Sequence, residues 1–543
     1  MKNTPVRKPD PLAQKGPLWA DQYAFTMAQA LFAHGKHDQI TTFHAYIRKN
    51  PFGGGYLLTA GQNILAEWLE NWKFSDEDIE LLKGETAFNG KTGKQERLYT
   101  DEFLEMLKNA KLDVSIDMMP EGEVAFPDEP IVRVRGPVWQ CLLLEAAILN
   151  TINSQSLFAT LASRLCEVSG GKTILELGLR RAQMLGGLEA TRAAYIGGVD
   201  GTSNYLAKKH YGIPSSGTMA HAMVMLYEDE LQAFKEYASA MPHNTVFLVD
   251  TYDSIEGIKK AIKTCQDLGV EMKGIRLDSG DLAYFSIQAR RLLDEAGFKD
   301  AKIAASNDLD ESTMASLIDQ GAKIDIWGVG TNLVTAKTQP ALGGVYKLGA
   351  IYGEGLTADD IQDLQAQVKA GKTKPEILSD KVRNVLKLSE QAVKVSIPGE
   401  LDVLRFMRKN HLNQWTYNGD MIVSNNEKDV IEKSDIPEFP FMLKQSVESV
   451  RKYDETLSKV FNKGTYVYKP LKPAFDKGVR VSKYETVHDA RTRAKDALSK
   501  LHYAHKRLLN PRLYVAGLEN GLYERRRAQM LGIRRGHKMG EVK

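Results

Sequence analysis

The chain has 543 residues, of which 43% are hydrophobic and 26% charged, a composition typical of a soluble globular protein with two or three domains. The net charge of +3 belongs to the ends, because residues 1–19 carry +3 and residues 525–543 carry +6, which leaves −6 for the remainder. A nucleic-acid-binding protein is therefore not indicated.

The sequence indicates neither a membrane protein nor a secreted one. No apolar run approaches the roughly 20 residues that a membrane span requires, and the basic N-terminus lacks the apolar core of a secretory signal. The three cysteines, Cys141, Cys166 and Cys265, have neither the spacing of a disulfide framework nor that of a metal cluster. We therefore expect a protein of the reducing cytosol.

The N-terminal region predicts helices and strands in alternation. Residues 21–35 have the apolar spacing of an amphipathic helix with Tyr23 near its start, and residues 41–50 alternate as a strand. The glycines Gly53–Gly55 then form a turn before the next helix. By pattern alone Tyr23 fits core packing, and the basic pair Arg48–Lys49 fits a solvated strand end better than an anion site.

Three further regions of predicted secondary structure precede residue 170, where the pattern of strands and helices changes. Residues 75–115 predict charged helices, and the segment DEPIVRVRG at residues 128–136 predicts a strand. Residues 138–165 predict a long, largely buried helix.

From about residue 170, short apolar strands alternate with amphipathic helices. The strand candidates TILELGL, VFLVDTYD, GIRLDSGD and KIAASNDL are each followed by a helix, and IDIWGVGTN leads to GGVYKLGAIY. This alternation implies parallel strands with helical crossovers. Six or more such units favour a closed barrel over an open sheet, and in such barrels the chemistry lies at the carboxyl ends of the strands.

Beyond residue 352 the pattern changes again. Residues 353–381 are polar and rich in Lys and Asp, which indicates a surface insertion. Residues 386–406 and 413–425 resemble strands of a smaller β-rich element. The chain then ends with a charged helix at residues 489–501, a loop and a basic tail.

The stretch Gly201–His221, GTSNYLAKKHYGIPSSGTMAH, is rich in glycine and hydroxyl residues and precedes an apolar run typical of a helix. Ser215, Ser216 and Thr218 are types that cap helix N-termini. Such a terminus stabilises an anion. A phosphate site beside His221 and a capped helix with a surface histidine are both open at this point.

Two other predicted strand ends carry arginines. The segment RLDSGD places Arg276, Asp278 and Asp281 after a strand, and GLRRAQ places Arg180 and Arg181 after another. Arginine suits bidentate recognition of a carboxylate or phosphate. Aspartates suit Mg²⁺ or a positive charge on a sugar. An internal ion pair with a helix cap is the structural alternative.

A fourth strand end is rich in glycine. The segment IWGVGTNL places Gly328, Gly330 and Thr331 where backbone N–H groups can cradle a phosphate. A tight turn explains these residues equally well.

These motifs occur together in one known family. The segments GLRRAQ, GGVDGTSN, YGIPSSGTMAH, LVDTYD, IRLDSGDL and IWGVGTN followed by GGVYKL resemble, in order and spacing, those of nicotinate phosphoribosyltransferases. The segments RKNPFGGGYLLTAG, EPIVRVRGP, LLLEAAILNTINSQS and KLSEQAVKVSIPG resemble that family too. The resemblance covers roughly residues 20–530.

The resemblance implies an α/β fold. It is an irregular parallel α/β barrel, of the type II phosphoribosyltransferase kind, with a flanking α+β domain and a C-terminal extension. We expect four parts, namely a basic tail at 1–20, an N-terminal α+β domain at 21–145, the barrel at 146–400, and a C-terminal region at 401–543 that packs on the N-terminal domain and ends in a basic tail. The family also implies a cytoplasmic homodimer with shared active sites.

The implied reaction is the first step of NAD salvage from nicotinate. Nicotinate, 5-phosphoribosyl 1-pyrophosphate, ATP and water give nicotinate mononucleotide, pyrophosphate, ADP and phosphate. ATP is the co-substrate and Mg²⁺ the cofactor, and neither nucleic acid nor a membrane is an expected partner.

The resemblance assigns roles to individual residues by motif. Tyr23 resembles the aromatic residue that stacks on the pyridine ring in a neighbouring subunit's site, and Thr218 and Arg276 resemble the nicotinate-binding residues. Ser389 of KLSEQ matches a hydroxyl that contacts phosphoribosyl pyrophosphate. His221 matches the histidine that ATP phosphorylates transiently.

The remaining assignments concern charge and phosphate. Arg180 joins Arg276 as the second cation for the nicotinate carboxylate, and Asp278 is the expected catalytic carboxylate. The residues expected to bind the 5-phosphate are Gly328, Gly330 and Thr331. One position departs from the family, because Leu177 stands before GLRR where a phenylalanine is usual, and leucine offers an apolar wall without a stacking face.

Two other functions fit parts of this pattern. A nicotinamide phosphoribosyltransferase shares the barrel, but a carboxylate substrate calls for paired cations, which Arg180 and Arg276 provide. A non-catalytic, phosphate-sensing protein on the same fold would not require His221, Asp278 and Arg276 together.

Overall fold

The computed structural model describes residues 10–13, 16–373, 381–425 and 430–536. The chain divides into two compact units, of which the first comprises Met1–Ser156, Leu342–Glu485 and Arg493–Lys543, and the second Leu157–Ala341 and Thr486–Thr492. Parts of both predicted basic tails, residues 1–9, 14–15 and 537–543, lie outside the described residues. The boundaries predicted after residues 145 and 400 stay predictions.

The second unit contains a six-stranded sheet in which each strand is parallel to its neighbours. In spatial order its strands are Val246–Leu248, Gly274–Leu277, Lys302–Asn307, Ile326–Val329, Thr173–Glu176 and Gly201–Thr202. A further parallel bridge joins Thr202 to Ser215. The parallel alternation predicted from residue 170 is confirmed for these strands.

Helices follow the strands of this sheet, as the alternation predicts. They are Gly186–Gly197, Tyr205–Tyr211, His221–Met225, Glu230–Ala240, Ser254–Leu268, Leu282–Glu295, Glu311–Asp319 and Thr331–Val334. Side chains of Asp253, Asp281 and Asp310 accept hydrogen bonds from the first turns of their helices. Several polar residues at strand ends therefore serve as caps.

The cap predicted before His221 is wrong. The helix there has only five residues, its N-cap is Ala220, and no side chain caps it. Ser215 and Ser216 instead lie in an extended segment, where the N–H of Ser216 donates to the carbonyl oxygen of Thr202 at 2.9 Å. The hydroxyl residues precede the helix by too many positions, because a cap must stand directly before the first turn.

The first unit contains a seven-stranded antiparallel sheet. In spatial order its strands are Val382–Asn384, Gly344–Tyr352, Ile40–Ile47, Val132–Pro137, Ser115–Met118, Lys472–Asp476 and Val479–Arg480. The strand Gly344–Tyr352 pairs antiparallel with Ile40–Ile47, so its predicted place in the parallel alternation is wrong. The strands predicted at 41–50 and 128–136 are confirmed in outline.

An eight-stranded sheet forms the β-rich element predicted in the last third of the chain. In spatial order its strands are Ile431–Ile436, Phe439–Leu443, Tyr466–Tyr468, Leu401–Lys409, Trp415–Ser424, Ala516–Glu519, Val447–Arg451 and Asp454–Phe461. Two small pairs, Leu57–Leu58 with Val124–Ala125 and Thr86–Asn89 with Lys94–Arg97, complete the strands. The second pair is a hairpin in a region predicted to be helical.

The helices within the first unit are mostly short. They are Gln22–Ala33, Gln62–Glu70, Asp76–Lys83, Asp101–Asn109, Val138–Leu143, Ala358–Lys369, Tyr503–Lys506 and Asn520–Arg534, while Glu145–Val168 and Val487–Lys500 are divided between the units. The helix Asn520–Arg534 occupies part of the predicted basic tail. None of the helices in the described ranges combines the length and apolar character needed to cross a membrane.

A fully buried arginine stands at the centre of the eight-stranded sheet. The Arg405 guanidinium donates to both carboxylate oxygens of Asp420, at 2.7–3.1 Å, and to Glu123 Oε1 at 2.8 Å. It also lies 4.7 Å from the centroid of the Tyr417 ring and 5.5 Å from that of Phe126. Because no water reaches this group, the carboxylates are what compensate its charge.

Removal of one partner tests this network. We expect Asp420→Ala to lower the free energy of unfolding by about 3–5 kcal/mol, because it leaves a buried guanidinium without its bidentate partner. Urea unfolding followed by circular dichroism measures the change. The matched control is Asp101→Ala, which removes an exposed pair with Arg97 and should leave the transition nearly in place. Equal effects of the two substitutions would contradict the assignment.

Candidate active site

A histidine and a buried carboxylate meet at the carboxyl edge of the parallel sheet. His221 begins its short helix, and its Nε2 lies 3.3 Å from Oδ1 of Asp250, which follows the strand Val246–Leu248. The Asp250 side chain is 1% exposed and that of His221 is 39% exposed. The contact favours a proton on Nε2, which leaves Nδ1 with the lone pair of a nucleophile.

Asp250 also ties this loop to the next one. Its second oxygen, Oδ2, accepts from the backbone N–H of Asp278 at 2.8 Å and from the hydroxyl of Ser279 at 2.7 Å. One carboxylate therefore fixes both the histidine and the RLDSGD loop. The sequence indicated Asp250 only as a polar residue after an apolar strand, and its role as the histidine's partner was missed.

Arg276, Asp278 and Ser306 form a second connected group. Arg276 donates from Nε to Ser306 Oγ at 3.0 Å, from Nη2 to Asp278 Oδ1 at 3.2 Å, and from Nη1 to the carbonyl of Met219 at 3.3 Å. Ser306 donates in turn to Asp278. Three of the five guanidinium N–H groups are thus used, and Nη1 and Nη2 each keep one for a ligand.

The same contacts set the charge of Asp278. Burial alone would raise its pKa, but the Ser306 hydroxyl, the Arg276 guanidinium and His221 together hold the pKa below its ordinary value. Asp278 is therefore a carboxylate at neutral pH. The sequence did not single out Ser306, although it belongs to the strand candidate KIAASNDL.

Thr218 lies next to this group. The carbonyl of the following residue, Met219, is the one that accepts from Arg276. The Thr218 hydroxyl is buried and has no hydrogen-bond partner among the described residues. The Thr218 hydroxyl precedes by one residue the carbonyl that Arg276 contacts, and a small polar ligand could pair both with this hydroxyl and with the two spare N–H groups of the arginine.

Gly328 leaves space that a neighbouring side chain fills. A Cβ atom at Gly328 would lie 2.6 Å from Leu177 Cδ1 and 3.1 Å from Ser306 Cβ. Gly330 follows as the N-cap of Thr331–Val334, which has four residues. The three predicted phosphate-site residues thus lie in and after the strand Ile326–Val329, next to Leu177.

Arg180 and Arg181 lie in a single 3₁₀ turn, Leu179–Arg181, after the strand Thr173–Glu176. Both arginine side chains are exposed. The residue that ends the strand, Glu176, is fully buried and accepts hydrogen bonds from three neighbours. Sequence reasoning missed Glu176, since a carboxylate at a strand end carries no sign of burial.

The two remaining predicted residues belong to the first unit. The Tyr23 hydroxyl donates to Glu145 Oε2 at 2.9 Å, and 49% of the residue is exposed. Burial, together with this hydrogen bond to Glu145, raises the pKa of Tyr23 to about 12. Ser389 is half-buried, and its Oγ accepts from the N–H of Gln391 at 3.3 Å.

Positive charge collects in the first unit as well. Burial lowers the pKa of Lys347, and Arg48 and Lys387 lower it further, while Glu145 opposes them. The Nε of Arg48 is buried without a hydrogen-bond partner among the described residues. Arg48 is therefore partly buried and not a fully solvated strand end, while an anion site there stays an alternative.

Family models match most of the chain. The model of the nicotinate phosphoribosyltransferase (NAPRTase) N-terminal domain matches residues 18–153, that of the nicotinate phosphoribosyltransferase (NAPRTase) family matches residues 173–389, and that of the C-terminal domain matches residues 402–526. All three models thus describe one family, in the order of its domains.

Related proteins and solved structures agree. A nicotinate phosphoribosyltransferase of Bacillus subtilis (strain 168) is 42% identical over 74% of this chain and 75% of its own length, and one of Caenorhabditis elegans is 32% identical over 94% and 92%. The fold is that of human nicotinic acid phosphoribosyltransferase, with a TM-score of 0.71 at 24% identity over 93% of this chain and 99% of that one. A nicotinate-nucleotide pyrophosphorylase from Pyrococcus furiosus shares it at a TM-score of 0.60, with 18% identity over 92% and 99%.

The expected fold class is confirmed by these matches together with the parallel sheet. The order of the motifs, the coverage and the identities leave one conclusion. This chain belongs to the nicotinate phosphoribosyltransferase family.

Proposed function

We propose that the protein transfers the phosphoribosyl group of 5-phosphoribosyl 1-pyrophosphate to nicotinate, coupled to ATP hydrolysis through a phosphohistidine at His221. The products are nicotinate mononucleotide, pyrophosphate, ADP and phosphate, the first step of NAD salvage from nicotinate. The observation that carries the proposal is the Arg276 guanidinium, which keeps two N–H groups free and binds the carbonyl of Met219, the residue after the unpaired hydroxyl of Thr218.

The pyridine is bound through its carboxylate. Arg276 offers Nη1 and Nη2 to the two carboxylate oxygens, Thr218 donates its hydroxyl, and Arg180 supplies a second cation. Tyr23, whose hydroxyl Glu145 holds, offers its ring for stacking. Leu177 forms an apolar wall.

The sugar reacts by loss of its leaving group. Pyrophosphate departs from C1 through an oxocarbenium-like state, and the pyridine nitrogen attacks that carbon. Asp278 is held as a carboxylate, so it stabilises the positive charge that develops on the ribose. Gly328, Gly330 and Thr331 bind the 5-phosphate through backbone N–H groups and a hydroxyl. No protein nucleophile on the sugar is needed.

The pyrophosphate is the part with most negative charge. Ser389 donates a hydrogen bond to the pyrophosphate. The positive charges of Arg48, Lys347 and Lys387, which belong to the same unit as Ser389, attract its negative charge. Because Tyr23 serves a neighbouring subunit's site in this proposal, the active form is a homodimer. We place the enzyme in the cytoplasm, where its three free cysteines stay reduced.

Energy coupling runs through His221. Its Nδ1 attacks the γ-phosphorus of ATP, ADP leaves, and the phosphohistidine is later hydrolysed. Asp250 holds the Nε2 proton and stabilises the positive charge of the ring as the N–P bond forms.

Mg²⁺ is the proposed cofactor, and the carboxylates present fit a loosely held ion. No group of three or more His, Cys, Asp or Glu side chains among the described residues could hold a metal by itself. Mg²⁺ commonly takes one or two carboxylates and completes its shell with substrate phosphates. Asp278 and Asp281 are the available carboxylates. When bound, the ion neutralises charge on the departing pyrophosphate.

The first prediction concerns the phosphohistidine. With radiolabelled ATP, acid-labile phosphate should appear on His221, and His221→Ala should abolish ATP hydrolysis while slow, ATP-independent transfer to nicotinate remains. The exposed His243 gives the control, because His243→Ala should retain both label and hydrolysis. Undiminished ATP hydrolysis in His221→Ala would disprove the assignment.

The second prediction concerns substrate choice. Loss of one partner of a desolvated ion pair costs about 3–5 kcal/mol, so Arg276→Ala should weaken nicotinate far more than nicotinamide. Competition assays with the two pyridines measure the ratio of their kcat/KM values. Arg291→Ala, which removes an exposed arginine of the same unit, should leave that ratio unchanged. An unchanged ratio in Arg276→Ala would mean that another residue recognises the carboxylate.

The third prediction concerns pH. The Ser306 hydroxyl lowers the pKa of Asp278, so Ser306→Ala should raise it. Because activity requires the carboxylate, the acidic limb of the kcat/KM profile should then move to higher pH. Ser286→Ala, which removes a buried hydroxyl bonded to Ala283 and Lys323, should leave the limb in place. If both variants keep the wild-type limb, Asp278 does not limit activity at low pH.

A further inference from the structure

Glu176 is a buried acidic residue that forms no ion pair among the described residues. It ends the strand Thr173–Glu176 and its side chain is fully buried. All its partners in the described part of the chain are neutral donors, namely the N–H of Gly178 and the hydroxyls of Thr191 and Thr202. A buried carboxyl group needs hydrogen bonds of this kind to offset the loss of water, and here those hydrogen bonds join separate segments of the chain.

The first oxygen of Glu176 fixes the arginine turn. Oε1 accepts from the N–H of Gly178, the residue just before Leu179–Arg181. Gly178 itself is closely packed, since a Cβ there would lie 2.5 Å from Val334 Cγ1 and 2.8 Å from the carbonyl oxygen of Gly330. The start of the turn that carries Arg180 is therefore held from two sides.

The second oxygen fixes a different segment. Oε2 accepts from Thr202 Oγ1 at 2.6 Å and from Thr191 Oγ1 at 2.8 Å. The backbone N–H of Thr202 donates to Pro214 O at 3.0 Å, and the N–H of Ser216 donates to Thr202 O at 2.9 Å. Ser216 is two residues from Thr218, so this oxygen is linked to the segment that carries the Thr218 hydroxyl.

We infer that Glu176 is a positioning residue that sets the distance between the Arg180 turn and the Thr218 segment, and thereby the affinity for the carboxylate of the pyridine substrate. The inference rests on the proposed function, in which Arg180 and Thr218 both contact nicotinate. One oxygen of the Glu176 side chain binds the turn that carries Arg180, and the other binds Thr202 and, through it, the Thr218 segment. A movement of one loop is therefore transmitted to the other. Glu176 itself does not touch the substrate.

An isosteric substitution separates the hydrogen bond to Gly178 from those to Thr191 and Thr202. In Glu176→Gln the amide oxygen can still accept from Gly178, but the amide N–H₂ then faces the two threonines. Thr191 can accept from it, since its own proton can go to the carbonyl of Gly187 at 2.7 Å. Thr202 already accepts from the N–H of Asn204 at 2.9 Å, and its proton loses its acceptor. The substitution therefore weakens the link between residue 176 and Thr202 and leaves the link to Gly178 in place.

The experiment compares steady-state kinetics of four proteins, namely wild type, Glu176→Gln, Thr202→Val and the double variant. We expect Glu176→Gln to raise KM for nicotinate about tenfold, the value of one lost hydrogen bond to a charged group, with kcat and KM for ATP within about twofold of wild type. Thr202→Val should raise the same KM by a similar factor. The double variant should show no more than the larger single effect, because both substitutions remove one interaction.

The control distinguishes positioning from general destabilisation. Asp325 directly precedes the strand Ile326–Val329, so it lies at the amino-terminal ends of the parallel strands, whereas Glu176 lies at their carboxyl ends. Its carboxylate accepts from the N–H of Ile303 at 2.9 Å. Asp325→Asn should leave KM for nicotinate unchanged. An unchanged KM in Glu176→Gln, additive effects in the double variant, or an equal KM change in Asp325→Asn would each overturn the inference. If Glu176→Gln does not fold, Thr202→Val decides by the same criterion.

Failure of the proposed function gives a different result. A wild-type protein that does not turn over nicotinate would overturn that function and this inference together. Normal wild-type turnover with an unchanged KM in the variants would overturn the inference alone.

Discussion

Buried carboxylates that accept backbone N–H groups hold the carboxyl edge of the parallel sheet in place. Beyond the last ladder bond of a parallel strand the backbone has no regular partner, and buried N–H groups need one. Asp250 accepts from the N–H of Asp278, and Glu176 accepts from that of Gly178. In each case the other oxygen contacts a side chain of a different loop, His221 or Thr202. The loops that bear the reacting groups are thus fixed without regular secondary structure.

In the first unit several buried charges are paired with opposite charges. Arg405 is enclosed by Asp420 and Glu123, and Glu400 shows the converse case. Burial would raise the pKa of Glu400, but Arg135 and Arg133 lower it to about 2. Charges of this kind make a sheet specific in its register, since a slip of one residue would leave them unpaired.

The sequence predicted those features that depend on local pattern. Local periodicity and the residues that end helices or strands predict the helix Gln22–Ala33, the parallel strands from Thr173 onward and the charged helix near the end of the chain. The strand Gly344–Tyr352 has the same apolar pattern as its parallel neighbours in sequence. Its partner, Ile40–Ile47, lies some three hundred residues away, and no local signal selects it.

Within the site, residue types were predictable and their partners were not. Arg276 and Asp278 stand out in RLDSGD, but Ser306 joins them only because Leu277 is in register with Ala305 on the neighbouring strand. The burial of Arg405 was equally hidden, since an arginine in an alternating strand has the pattern of a solvent-facing residue. Such contacts depend on the register between strands that are distant in sequence, and a single sequence does not reveal that register.

The contact between Leu177 and Gly328 restricts how this pocket can change over evolution. Residue 328 has already reached the smallest side chain there is, so a bulkier residue at 177 gains no room from it. Another neighbour of that space is Ser306, whose hydroxyl also hydrogen-bonds with Arg276 and Asp278. An aromatic ring that followed the direction of the Leu177 side chain would therefore need the backbone or Ser306 to shift. A substitution at either of these two positions therefore changes the space that is available to the other.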